Sequence, residues 1–81
     1  MSIADMREFI EYVARSVVDD PSQVQVTGIE GRNTIVYELR VAPQDAGRVI
    51  GKGGRMANAM RALLRVMAAR QEKYARLKIV P

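Results

Sequence analysis

The chain has 81 residues, 13 basic and 9 acidic side chains, a formal net charge of +4, and neither histidine nor cysteine. That composition permits one small domain over residues 1–81. It excludes disulfides, thiolate or imidazole chemistry and nearly all zinc or iron sites, so no metal and no cofactor is expected. No apolar run nears the roughly 20 residues of a membrane span, and Asp5 and Glu8 stand where a signal peptide would be basic, so a soluble cytoplasmic domain with no membrane association is expected.

Ser2 is placed to cap a first helix, with Asp5 three residues on as an imperfect capping box. Met6, Phe9, Ile10, Val13 and Val17 follow at helical spacing and predict an amphipathic helix over about 3–18, ended by Asp19-Asp20-Pro21. Residues 23–29 alternate, with Val24 and Val26 on one face. Residues 34–41 alternate more cleanly, with Ile35, Tyr37, Leu39 and Val41 together. The tetrad Glu30-Gly31-Arg32-Asn33 between the two runs predicts an antiparallel hairpin. Pro43 sits near the first turn of a short helix over about 44–50. Glycines at 51, 53 and 54 interrupt it before a long helix over about 55–70, and residues 74–80 alternate again as a third strand. The order is α-β-β-α-α-β, an α+β domain with three helices packed on one side of a three-stranded sheet.

The long helix is apolar over more of its circumference than one sheet requires. In order around the wheel, Val66, Ala59, Leu63, Met56, Met67, Met60, Leu64, Ala57 and Ala68 span roughly 200°, where about 100° suffices for packing on a sheet. The surplus predicts a dimer contact through Met56, Ala59, Leu63 and Val66, unless a thick core absorbs it. Arg61, Arg65 and Asn58 form a polar wedge opposite, read as a solvated face or a phosphate-tracking stripe. Arg76 and Lys78 alternate on the last strand, where charge also protects a sheet edge from aggregation.

The charge is asymmetric. Residues 1–45 hold four basic and eight acidic side chains, and residues 46–81 hold nine basic and one acidic. A polyanionic partner is expected, with the acidic half facing away from it. The segment Arg48-Val49-Ile50-Gly51-Lys52-Gly53-Gly54-Arg55 is the best candidate for contact. Each glycine is about 1 kcal/mol worse than alanine inside a helix, so the three mark a sharp break. Gly51 suits a left-handed cap, and Gly54 leaves room for a backbone to approach. The following helix N-terminus, with Arg48, Lys52 and Arg55 around it, suits an anion. A plain helix–helix turn with solvated arginines fits the glycines as well. The spacing fits neither a Walker A loop nor a dinucleotide fingerprint, which both need a strand before the loop.

In a helix–loop–helix context, Gly51-Lys52-Gly53-Gly54 matches the G-x-x-G loop that clamps nucleic-acid backbone in KH domains. With Val49-Ile50 before it, the order of elements, the length, and the segment Ala46 to Arg55, the chain resembles the small bacterial KhpA family of single type II KH domains. Its start at Met1 and its end just after the last strand read as a whole domain. The resemblance implies a mixed sheet and a non-catalytic RNA-binding protein that holds short single strands of RNA. It also implies a dimer, with itself or with a larger KH protein of the Jag family, and a role as RNA chaperone or regulator linked to cell elongation, division and shape. The implied contact set is Arg48, Val49, Ile50, Gly51, Lys52, Gly53, Gly54 and Arg55, with bases in a groove lined by Val49, Ile50 and the second strand. Ala57 and Met60 depart from the bulkier branched residues usual there. A protein-interaction adaptor with RNA binding secondary is the competing expectation.

Overall fold

The computed structural model describes residues 3–80, so a capping role for Ser2 lies outside the described residues. Helix α1 covers Ile3–Val17, strand β1 Gln25–Glu30, β2 Thr34–Arg40, helix α2 Ala46–Ile50, α3 Arg55–Ala69 and strand β3 Tyr74–Val80. Short 3-10 turns at Pro21–Gln23, Pro43–Asp45 and Lys52–Gly54 join them. This is the expected α-β-β-α-α-β order.

The sheet is mixed. β2 is central, antiparallel to β1 and parallel to β3, with Tyr37 opposite both Gly28 and Leu77. The parallel pair needs a crossover, and α2 and α3 supply it. Alternation along each strand places Val26, Ile35, Tyr37, Leu39, Ala75 and Leu77 on one buried face. They pack against Met6, Ile10 and Ala14 of α1, Val49 of α2, and Met60, Leu64 and Ala68 of α3. The opposite face carries Thr27, Ile29, Arg40, Arg76 and Lys78 and is exposed. One face apolar and one solvated is the ordinary condition of a two-layer α+β sheet.

Gly28 is the inward residue of β1 opposite the Tyr37 ring, where an added Cβ would lie 3.0 Å from Tyr37 Cε1. The largest core side chain therefore takes the space a side chain would fill. Burial pushes the Tyr37 phenol above its ordinary pKa, and the Glu30 carboxylate adds to the rise.

β1 begins two residues later than the alternation predicts. Pro21–Gln23 form a turn in which the Gln23 and Val24 amides donate to Asp20 O and Pro21 O. Those amides are thereby withdrawn from the strand ladder, although Val24 still turns into the core. At the far end of α3, Glu72 takes a left-handed conformation (φ 57°), and the Lys73 amide donates back to Ala68 O at 3.0 Å. This is a helix stop normally made with glycine. Lys73 Nζ then reaches Glu30 Oε2 (2.7 Å) and Gly31 O (3.0 Å), tying the α3–β3 turn to the hairpin turn.

Candidate nucleic-acid interface

The short helix α2 is held at its base by Asp45, a carboxylate with no solvent exposure. Its two oxygens accept the backbone amides of Asp19 and Asp20, each at 3.1 Å, and Arg48 Nε lies 3.7 Å from Oδ1. Arg48 Nη2 also pairs with Asp19 at 3.1 Å. The chain after α1 is thus tied to the start of the loop-bearing helix. Val49 drops into the core beneath, and Ile50 stays exposed on the next position.

The glycine loop follows, with each glycine in a distinct state. Gly51 has φ 79° and ψ 171°, a region open only to glycine, and not the left-handed cap expected of it. A Cβ there would lie 2.9 Å from Met56 N and 2.8 Å from Met56 Cβ. The close backbone approach expected at Gly54 therefore occurs at Gly51, because the loop folds back over the first turn of α3. Gly53 and Gly54 both take left-handed conformations, and a Cβ at Gly53 would meet open space.

This geometry sorts the loop amides. Gly51 N–H donates to Gly47 O at 2.9 Å, Gly54 N–H to Gly51 O at 3.1 Å, and Arg55 N–H to Lys52 O. The amides of Lys52 and Gly53, the two middle positions of the motif, have no acceptor among the described residues. The Lys52 and Arg55 side chains are exposed and pair with no acid among those residues. Arg48 differs, since its charge is offset by Asp19 and Asp45. Of the predicted set, Lys52, Gly53 and Arg55 are therefore the exposed residues that offer an open amide or a cation with no acid beside it among the described residues, whereas Arg48 is ion-paired and Val49 is buried.

A groove of about 510 Å³ opens beside the loop. Ile50, Gly54 and Ala57 form its helical wall, and Leu77 and Ile79 form its floor on β3. Arg61, Arg76 and Lys78 stand around its rim. The second strand, expected to line it, is central in the sheet and shielded by β3, so the third strand takes that place. A second cavity of about 340 Å³ continues along β3 past Arg61, Arg65, Tyr74 and Arg76, with Arg76 5.9 Å from the Tyr74 ring centre. Arg61 is not part of a solvated face. Its Nε and Nη2 donate to Leu77 O at 3.3 and 3.2 Å, and its Nη1 donates to Asn58 Oδ1 at 3.3 Å. The sequence signal for these wall residues is the alternation of Arg76 and Lys78 on a basic strand.

The charge halves are not segregated as expected, because Asp19, Asp45 and Glu30 of the acidic half pair with Arg48 and Lys73. The other basic side chains of the second half have no acid within ion-pair reach among the described residues. The same residues include no cluster of three metal-ligating side chains, and no helix long and apolar enough to cross a membrane.

The apolar surplus of α3 is also visible. Exposure follows the order around the wheel: Met60, Leu64, Ala57 and Ala68 are buried, and Met56 and Met67 half-buried. Leu63 is 50% and Val66 60% exposed, with Ala59 open beside them. The core of one chain does not absorb them.

Residues 7–79 match the sequence profile of the KhpA/KhpB KH domain. The chain is 41% identical to the RNA-binding protein KhpA of Clostridium acetobutylicum over 75 residues, 93% of this chain and 100% of that one. It is 43% identical to the RNA-binding protein KhpA of Chlamydia trachomatis over 93% of this chain and 96% of the relative. It is 41% identical to the RNA-binding protein KhpA of Aquifex aeolicus over 93% and 95%. No solved structure matches the chain.

Proposed function

The chain belongs to the KhpA/KhpB KH-domain family, and from that premise we propose that it is a non-catalytic, cytoplasmic RNA-binding protein that holds short single-stranded RNA. The observation that carries this reading is the pair of unengaged amides at Lys52 and Gly53, beside the Lys52 and Arg55 side chains, at the mouth of a groove with a basic rim. Amides and cations suit phosphate oxygens. The half-buried Ile79 on the floor suits a base face, and the edge of β3 suits base edges. Titration of a fluorescent single-stranded RNA at several salt concentrations tests it. With about four phosphates neutralised, by Lys52, Arg55, Arg76 and Lys78, the slope of log K against log salt is expected near −3. A flat salt dependence, or no binding at low salt, rejects the reading.

The exposed strip on α3 favours a second element of the proposal: the domain pairs through Ala59, Leu63 and Val66, with Met56 at the margin. Self-pairing and pairing with a larger KH protein of the Jag family would use the same strip. Burying one leucine or valine fully is worth about 1.5–3 kcal/mol, and a symmetric contact counts each twice. Leu63→Asp places a charge at its centre, and light scattering after size exclusion is expected to show half the wild-type mass at micromolar concentration. An unchanged mass removes the dimer. Two loops on one particle raise effective affinity for RNA carrying two sites, which fits a chaperone or regulator acting on transcripts for cell elongation and division.

A further inference from the structure

β3 is an edge strand, and its free edge is the wall of the groove. The Tyr74 amide and the Val80 carbonyl bond toward β2, to Asn33 O and the Val41 amide. By alternation, the amides and carbonyls of Ala75, Leu77 and Ile79 face the open side. Such a carbonyl is an acceptor for the exocyclic amino group of adenine or cytosine. At Leu77, which with Arg61 and Arg76 lines both cavities, that acceptor is already occupied by two donors of Arg61. The guanidinium is itself held by Asn58 Oδ1, on the turn of α3 before it. Of its five N–H groups these bonds use three, so two have no partner among the described residues and can face an incoming group.

From this we infer that Arg61 sets base preference in the middle of the groove, by converting an acceptor wall into a donor wall. Opposite Leu77 the protein presents the remaining Arg61 N–H groups and the outward Leu77 amide. A base with a carbonyl oxygen at the 4 or 6 position, uracil or guanine, meets donors there. The exocyclic amino group of cytosine or adenine meets a donor with no acceptor. The inference rests on the RNA-binding reading above and adds to it which bases the central position takes.

The test compares pentamers that differ in that group: oligo(U) against oligo(C), and oligo(I) against oligo(A), by anisotropy at fixed salt. The wild-type protein is expected to bind the keto member of each pair roughly tenfold more tightly, the discrimination of one good base contact. Arg61→Met uncovers Leu77 O and is expected to reverse the preference toward oligo(C) and oligo(A). Arg61→Lys keeps the charge without the fork and is expected to lose the preference while holding much of the affinity. Overturning results are a wild-type preference for the amino members, no preference, or a uniform weakening of all four by Arg61→Met with the ratio unchanged. The last would make Arg61 a phosphate contact only. The wild-type ratios decide the matter should a variant fail to fold, which a thermal melt reports. Wild-type protein that binds none of the four pentamers refutes the RNA reading itself, and this inference with it.

Discussion

Lys52→Asp combined with Gly53→Asp is expected to weaken single-stranded RNA binding at least a hundredfold and to leave the fold intact. The double change replaces one positive charge by two negative ones at the two loop positions whose amides have no acceptor among the described residues. Each charge-assisted hydrogen bond is worth about 1.5–3 kcal/mol, so losing two removes about 3 kcal/mol or more. Tenfold in affinity corresponds to about 1.4 kcal/mol, hence the hundredfold. Two local facts protect the fold. Lys52 is exposed and its side chain makes no contact with an acid among the described residues. Gly53 sits at φ 64°, ψ 20°, a left-handed conformation that Asp tolerates, with open space where its Cβ would go. The strain is about 1 kcal/mol. Anisotropy titration beside a thermal melt checks both halves, and affinity within tenfold of wild type would show that the loop is not the phosphate clamp. The same substitution at Gly51 would test nothing so cleanly, because a Cβ there collides with the Met56 backbone.

Asp45→Ala is expected to destabilise the domain by about 3 kcal/mol, the penalty of stranding two partly buried amide donors and a charge partner together. The Asp19 and Asp20 amides lose their acceptors, while Arg48, half exposed, recovers part of its loss from water. For a domain of this size that is a fall in melting temperature of roughly 12–24 °C. Asp45→Asn keeps the shape and one acceptor oxygen, so its loss should be smaller, about half. Urea melts of the two variants, with the midpoint and slope read separately, distinguish loss of stability from a change in the surface exposed on unfolding. A drop below about 1 kcal/mol for Asp45→Ala would mean that water replaces the carboxylate without penalty. The position matters for the groove, because Asp45 precedes the helix that carries Ile50 to its wall.

Asp45 owes its role to contacts that no local pattern announces. In the linear chain it is an unremarkable acid at a helix start, as Pro43 and Gln44 suggest. Its partners lie 25 and 26 positions upstream, in a segment read only as the end of α1. Nothing periodic links the two segments. Arg61 departs from its place on the wheel for a related reason. A helical wheel puts it opposite the apolar arc, but its side chain is long enough to fold back across β3 to Leu77 O. The third strand walls the groove in place of the second because strand order within the sheet is decided by pairing between distant segments, which alternation does not report.

Other features were legible because they are local. The helical spacing of Met6, Phe9, Ile10, Val13 and Val17, the alternation of Ile35, Tyr37, Leu39 and Val41, and the hairpin turn each express a local backbone pattern within a few residues. Three glycines within four positions demanded unusual backbone angles, and all three have positive φ. The apolar surplus on α3 was countable on a wheel, and the residues at its edge are the exposed ones. The sequence alone therefore determined the elements, the loop and the excess face, since each follows from near-neighbour sterics and hydrophobic period. The tertiary structure decided which strand walls the groove and which cations are neutralised. Those outcomes depend on hydrogen bonds and ion pairs between segments far apart in the chain, and folding alone brings those segments together.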